Sequence, residues 1–463
     1  EDSALIEKAK RVLQALDGVL NESQKEAILE GLRHRVQILQ GPPGTGKTQT
    51  TAVALLLWAQ FLLSPGEVSA VAAATHTAVD TLMKRTKALE GQVKEAFSLV
   101  GERWHHIQYR RLGPRPVDHK ADLRDEDQAP EEGEEQKGEE QSIQIDFGTT
   151  SSLLKLRREL KLLVVDEASM MIFPHFLALA SRLSPLEEGR ILLTGDHRQL
   201  SPVIQHQWEE EDRPGVQRYL PYLSAFEAML RVREAMPAPE GAIAYSVLDH
   251  THRLPQEVRL LIQPLYRRDG VTLRGREAQG GKFLPANLWK AVWEEGEGVY
   301  LFVHGERESR KRNPLEAEVI RRILEAAPGV NAAELAVVTP FRAHRTLLRE
   351  RLGERVGLVD TVERLQGGER RVIFYSASAS DPDAITGLQE FLLDVNRTNV
   401  AFSRAKEKLV VVVAETLLHY VPPEQEAYQD AVLWKELRRL CTQLVGEDRV
   451  DGHRVQLWVP RRG

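Results

Sequence analysis

Gly41-Pro42-Pro43-Gly44-Thr45-Gly46-Lys47-Thr48 lies between a short apolar run, Val36-Gln-Ile-Leu-Gln40, and a largely apolar stretch from Gln49 to Phe61. A strand that ends in a glycine-rich turn and continues as a helix aims several backbone N–H groups at one point. The β- and γ-phosphates of a nucleotide fit there. Lys47 has the reach to pair with those phosphates, and the Thr48 hydroxyl is suited to holding Mg²⁺. The positive dipole end of the helix faces the same anion. The motif therefore predicts a P-loop α/β domain. It leaves the reaction open, because the same cradle serves kinases, GTPases and motors.

Three segments further along supply chemistry. Leu163-Val-Val-Asp-Glu167 reads as a buried strand ending in two acids: Asp166 is placed to hold the metal through water, and Glu167 to polarise the attacking water. Ile191-Leu-Leu-Thr194 runs into Gly195-Asp-His-Arg-Gln-Leu-Ser-Pro202, where the Gln199 amide can sense the γ-phosphate and, with Asp196, couple it to a neighbouring domain. Arg253, in Leu248-Asp-His-Thr-His-Arg-Leu-Pro255, and Arg404, in Asn399-Val-Ala-Phe-Ser-Arg-Ala-Lys406, are candidates for guanidinium groups that stabilise the transferred phosphoryl group. Taken singly, each has a plainer reading: a solvated Asp-Glu turn, a Gly/Pro turn, surface arginines in ion pairs.

The chain has 463 residues, too many for one compact core, so two or three domains are expected. Strands alternate with helices at Val36–Gln40, Val68–Ala74, Leu162–Val165 and Arg190–Thr194. A second series, without its own glycine loop, follows Pro237: Gly241–Leu248, Gly298–Val303, Ala333–Val338, Val356–Val359, Arg371–Ala377 and Leu409–Val413. In such sheets ligands sit at the carboxyl ends of the strands. The expected division is a stalk-like helix within 1–19, a phosphate-binding domain over 20–236 and an arginine-bearing domain with a tail over 237–463. Asn21 followed by Gln24 reads as a reciprocal helix cap. An insertion is expected over about 86–148. Within it, 117–141 holds about eleven acidic residues and almost nothing apolar, so it is expected to be disordered. Two readings of that segment stay open, a solvated insertion and an acidic docking or gating tail. In the C-terminal tail, Trp434–Leu444 reads as an amphipathic helix and Val455–Val459 as a strand, and no nuclease constellation is legible after Val413.

One cysteine, Cys441, excludes internal disulfides and thiolate metal clusters. A formal net charge of −6 means that a nucleic-acid partner has to be met by a local basic channel. No apolar run is long enough to cross a bilayer and the start is not a secretory signal, so no membrane partner is expected and the expected compartment is the cytoplasm. The chain begins Glu1-Asp-Ser without Met, as a processed chain or a piece of a longer one does.

In order along the chain, Gln24, Gly41 to Thr48, Ala74-Thr-His-Thr-Ala-Val-Asp80, Asp166-Glu-Ala-Ser169, Gly195 to Pro202, Thr251-His-Arg-Leu-Pro255, Thr339-Pro-Phe-Arg-Ala-His344, Asp360-Thr-Val-Glu-Arg-Leu-Gln-Gly-Gly-Glu369 and Asn399 to Lys406 resemble the motifs of superfamily 1 helicases. More narrowly they are similar to the 5′-to-3′ branch of the nonsense-mediated-decay RNA helicase and the Okazaki-fragment helicase-nuclease. The resemblance implies two tandem RecA-like domains with parallel sheets, ATP and Mg²⁺ as cofactors, and a single-stranded nucleic acid as partner. By the same resemblance Gln24 binds the adenine edge and Glu369 the ribose. Gln199, Arg253 and Arg404 surround the γ-phosphate. Thr75, Thr77, Thr149, Thr150, Pro202, Arg342 and Thr361 touch the strand. Small hydroxyl groups and backbone N–H donors suit phosphate contacts, which position a strand without reading its sequence.

The chain departs from the pattern at His252, where relatives often carry Tyr, and at His76, often Ser or Pro. Relatives also carry a small β-barrel before the Gln24 segment, whereas about twenty residues precede it here, too few for a barrel. The expected activity is ATP-driven movement along single strands, on DNA by the likeness of the Ala74–Asp80 and Gly195 segments. The alternatives are an RNA helicase of the same branch, or an ATP-gated clamp within a larger assembly that binds without separating strands.

Overall fold

The central strands of a parallel sheet are covered by helices on both faces, so they read as unbroken apolar runs with no alternation. Leu162–Asp166 and Val68–Ala73 are of this kind but for Asp166 and Ser69, and both are buried at every position. The computed structural model describes residues 2–113, 142–184, 189–202, 223–236, 243–277, 287–327, 329–365 and 368–461. It divides into two units, Glu1–His197 with Ser201–Asp249, and Arg198–Leu200 with His250–Gly463.

The first unit is built on a seven-stranded sheet. Its strands are β1 (Val36–Gln40), β2 (Val68–Ala73), β3 (Ile107–Leu112), β4 (Ile143–Thr149), β5 (Leu162–Asp166), β6 (Arg190–Gly195) and β7 (Ile243–Val247). They lie in the order β3-β4-β2-β5-β6-β1-β7, and every pairing is parallel. The helices α1 (Asp2–Ala15), α2 (Glu22–Arg33), α3 (Lys47–Leu62) and α4 (His76–Leu99) share one apolar core: Val12 and Leu13 of α1 pack with Leu55 and Trp58 of α3 and Val93 and Phe97 of α4. The α1 helix is therefore an integral layer of this unit.

Two expectations are corrected here. Residues 86–112 are not an insertion, since α4 runs unbroken to Leu99 and β3 forms the sheet edge, pairing with β4 from Ile107↔Ile143 to Leu112↔Gly148. Two arginines hid β3, and both are neutralised in place: Arg110 bridges Asp146 and Arg111 bridges Asp80. The acidic span 117–141 lies wholly outside the described residues, which stop at 113 and resume at 142. The second correction is the boundary at 237. Strand β7, expected to open the second series, pairs with β1 from Val36↔Ile243 to Gln40↔Val247, so the first sheet ends only at Val247. Its apolar sequence suits either sheet, and only pairing distinguishes them.

The second unit begins with a two-stranded pair, β8 (His250–Thr251) and β9 (Arg274–Gly275). Its main sheet holds β10 (Gly298–His304), β11 (Leu335–Thr339), β12 (Leu358–Thr361), β13 (Arg370–Ser376), β14 (Ala405–Ala414), β15 (Cys441–Val450) and β16 (His453–Pro460). The order is β12-β11-β13-β14-β10-β16-β15; the first five are mutually parallel, β16 runs antiparallel to β10, and β15 runs antiparallel to β16. The tail thus extends the sheet. Its helix is Val432–Leu440, shorter than expected, because Cys441 already starts β15. Asp451 and Gly452, with φ of 49° and 83°, make the tight turn that returns the chain as β16. An Asp-Gly pair between strands is a direct hairpin signal.

Candidate functional site

In the first unit the glycine loop connects the end of β1 to the start of α3, with the Gly41 N–H donating to the Gly195 carbonyl at 2.9 Å. Gly44 and Gly46 hold φ of 76° and 78°, a left-handed backbone that L side chains rarely adopt. A Cβ at Gly41 would lie 2.6 Å from the Cβ of Lys47. The loop is therefore closed by backbone geometry, and Thr45 locks it with a 2.7 Å hydrogen bond from Oγ1 to the Pro42 carbonyl. Thr48 sits half-buried in the first turn of α3.

Lys47 is 9% exposed, and its Nζ stands 2.8 Å from Glu167 Oε1 and 3.9 Å from Asp166 Oδ1. Burial alone would lower its pKa, but the carboxylates of Glu167, Asp166 and Asp196 hold it above the ordinary lysine value. Asp166 ends β5 and is fully enclosed; burial raises its carboxyl above the usual range, with Lys47 pulling the other way and Glu167 adding to the rise. Its Oδ1 accepts from Thr194 Oγ1 at 2.7 Å and from the Glu167 N–H at 3.0 Å. Glu167 adopts φ 51°, an uncommon left-handed conformation for a side chain of this size, and this turn places its carboxylate against Lys47. Asp196 is buried beneath, accepting from Gln40 Nε2 at 3.2 Å, while Tyr245 donates its hydroxyl to Gln40 Oε1.

Asp166, Glu167 and Asp196 thus bring three carboxylates to bear on one ammonium, an acidic setting of the kind a divalent cation enters. Oxygen donors from Thr48 and Asp166 are the hard ligands that Mg²⁺ takes, with water and phosphate completing the shell. Among the described residues no cluster of three or more His, Cys, Asp or Glu could hold a metal by itself. The residues present fit a nucleotide-bound magnesium. Thr194 and Gln40 were not legible as parts of this site, since their roles follow from the parallel register, which sets Val165 opposite Leu193 and Gln40 opposite Gly195.

Gln24 is only 3% exposed. Its Oε1 accepts from the Asn21 N–H at 2.9 Å, completing the expected reciprocal cap, and its Nε2 donates to the Thr45 carbonyl at 3.0 Å. The amide thus braces the phosphate loop from behind.

In the second unit Arg253, Glu369, Arg404 and Lys406 gather. Arg253 Nη2 lies 2.5 Å from Glu369 Oε1 and Nη1 donates to the Ser403 carbonyl at 3.3 Å, while Lys406 Nζ is 3.5 Å from Glu369 Oε2. Burial lowers the Arg253 pKa to about 10, opposed by Glu369 and reinforced by the neighbouring Arg404 charge. Arg253 and Lys406 thus share the Glu369 carboxylate, with the Arg404 charge near Arg253. Gln199 belongs to the same unit, on the short segment Arg198–Leu200. Arg198 pairs with Asp269, and its carbonyl accepts from Asn399 Nδ2 at 2.7 Å.

The strand-contact candidates fall into two groups. In the first unit, Thr75 caps α4 with Oγ1 accepting from the Ala78 N–H at 3.2 Å, and Thr77, the second residue of α4, is exposed. Thr149 ends β4 beside Ala73 of β2, and Thr150 opens the short helix Thr150–Leu153. Pro202 is half-buried. In the second unit Arg342 is exposed at the head of helix Arg342–Leu352, after β11, and Thr361 ends the adjoining β12 and is buried. All but Pro202 stand at or just past carboxyl ends of parallel strands.

Two protein-family models, each described as an AAA domain, match residues 19–210 and 281–416. Among curated relatives, the DNA replication ATP-dependent helicase/nuclease JHS1 of Arabidopsis thaliana is 26% identical over 427 residues, covering 87% of this chain and 29% of that protein. The DNA polymerase alpha-associated DNA helicase A of Schizosaccharomyces pombe is 24% identical, over 85% of this chain and 63% of its own. A regulator of nonsense transcripts 1 homolog of Arabidopsis thaliana is 26% identical, over 85% and 32%. An arterivirus nonstructural protein 10 (helicase) solved with DNA aligns at a TM-score of 0.41 and 17% identity, over 90% of this chain and 66% of that one. The chain spans less than two thirds of the length of these curated relatives. Together these matches support a superfamily 1 helicase, in the branch of the replication helicase/nucleases and the nonsense-transcript regulators.

Proposed function

We propose that this chain is an ATP hydrolase that converts nucleotide turnover into movement along a single-stranded nucleic acid, 5′ to 3′ and on DNA in preference to RNA. The observation that carries this reading is the cluster of Lys47, Asp166 and Glu167 at the mouth of the glycine loop. A buried ammonium already paired with a carboxylate can exchange that partner for a phosphate, and the exchange frees Glu167. In this reading Lys47 holds the β- and γ-phosphates, Thr48 and Asp166 hold the metal, and bound Mg²⁺ supplies charge neutralisation on the phosphate oxygens. Released Glu167 orients the attacking water and accepts its proton. Gln199 reports the γ-phosphate, and Arg253 and Arg404 supply the guanidinium charge that the transferring group needs. Gln24 supports the loop and the adenine edge, and Glu369 the ribose.

Thr75, Thr77, Thr149, Thr150, Pro202, Arg342 and Thr361 hold the strand backbone. The preference for DNA follows the two relatives named as DNA helicases. Steady-state ATPase with and without single strands, followed by a forked duplex, tests the reading. Stimulation with unwinding is expected. Stimulation without unwinding reduces the function to translocation or clamping, and no stimulation by any single strand overturns it.

A further inference from the structure

We propose that Arg310, Lys311 and Arg312 form an additional backbone-phosphate site for the single strand, next to Arg342 on the second unit. The inference rests on the nucleic-acid reading above and extends it to residues that no motif supplies.

The loop from Gly305 to Asn313 leaves the carboxyl end of β10, the edge at which α/β sheets present ligands. It is held rigidly from below. Glu306 is 8% exposed; its Oε1 accepts from the Glu308 and Ser309 N–H groups at 2.6 and 3.0 Å, and its Oε2 accepts from Ser380 Oγ at 2.5 Å and Asn313 Nδ2 at 3.0 Å. Asn313 in turn donates its N–H to His344 Nδ1 at 3.2 Å, on the helix that Arg342 opens. Lys311 Nζ lies 5.9 Å from the centroid of Phe341, the residue before Arg342.

This bracing presents three consecutive exposed cations. Elsewhere in the unit several exposed or half-exposed arginines are neutralised: Arg321 and Arg322 by Glu318, Arg345 and Arg349 by Asp360, Arg371 by Glu334 and Glu407. None of Arg310, Lys311, Arg312 or Arg342 forms an ion pair among the described residues. The three line an open cavity of about 610 Å³ together with Glu306 and Glu308 of the same loop, Ala343 next to Arg342, and Asp451 and His453. Ordered, adjacent, uncompensated cations suit a sequence-neutral row of phosphates, which exchanges condensed counterions for protein charge.

Each phosphate neutralised on a single strand contributes roughly 0.7 to the slope of log affinity against log salt. The triple variant Arg310→Ala/Lys311→Ala/Arg312→Ala is therefore expected to bind a labelled single-stranded oligonucleotide with a slope shallower by about 2. The affinity gap to the parent chain then shrinks roughly 20-fold as salt rises from about 50 to about 200 mM. ATPase without nucleic acid and the melting temperature stay unchanged, and Arg351→Ala, an exposed unpaired arginine at the other end of the same helix as Arg342, leaves the slope as it was. If the parent binds strands and the triple variant keeps its slope, or if Arg351→Ala lowers it equally, the loop assignment is wrong while the functional reading stands. A parent chain that binds no single strand overturns both.

Discussion

Gln24→Ala separates two roles that the same side chain could have. The amide makes two buried hydrogen bonds, accepting from the Asn21 N–H and donating to the Thr45 carbonyl, and Thr45 is itself 1% exposed. Losing half of the reciprocal cap costs about 1 kcal/mol. Leaving the Thr45 carbonyl buried without its partner costs about 1–3 kcal/mol more. The first unit should therefore lose about 2–4 kcal/mol in the absence of any nucleotide. At about 2–4 °C per kcal/mol for a unit of this size, melting should fall by roughly 4 °C or more. Scanning fluorimetry of the nucleotide-free chain reads the shift, with the KM for ATP measured in parallel. Gln24→Glu should do no better, because it keeps the acceptor for Asn21 but turns a carboxylate oxygen toward the Thr45 carbonyl. A residue acting only on adenine would raise KM and leave nucleotide-free melting untouched, and that pattern would refute the bracing argument.

Glu167→Gln should lower ATP turnover by about 10²–10⁴ while nucleotide binding persists, read by single-turnover hydrolysis beside fluorescent-nucleotide titration; equal turnover removes Glu167 from the base role. Arg253→Ala and Arg404→Ala should each lower turnover by roughly 10³ or more with little loss of nucleotide affinity, and a pure affinity effect in either would place that arginine in ground-state binding. His344 is buried, which lowers its pKa to about 4, with Glu316 opposing and Arg312 assisting. Between that value and the ordinary 6.5 the unfolded chain binds the extra proton, so stability present above pH 6.5 is lost as pH falls through this window. At 1.36 kcal/mol per unit the loss approaches about 3 kcal/mol. Urea melts across the window should show it, and His344→Gln should flatten that part of the pH slope.

The sequence by itself determined the local chemistry. Gly41 to Thr48 fixes a strand, a left-handed turn and a helix start within a dozen residues, because only glycine adopts φ near 76° at Gly44 and 78° at Gly46 without strain. Asp166 and Glu167 at the end of an apolar run were legible for the same reason, as were the cap between Asn21 and Gln24 and the strand-helix alternation of both units. Tertiary structure decided whatever depends on partners distant in the chain. Strand β7 joined the first sheet because β1 offered an open edge, and apolar residues do not encode which edge they will meet. Strand β3 was hidden because Arg110 and Arg111 look solvent-bound until Asp146 and Asp80 come to neutralise them. Thr194 reached Asp166, Gln24 turned its amide onto the phosphate loop, and Glu306 stiffened the basic loop only through hydrogen bonds between segments separated in sequence. Backbone dihedrals and side-chain periodicity are properties of neighbours along the chain and can be read there, whereas charge compensation and sheet register arise only once distant segments are packed together.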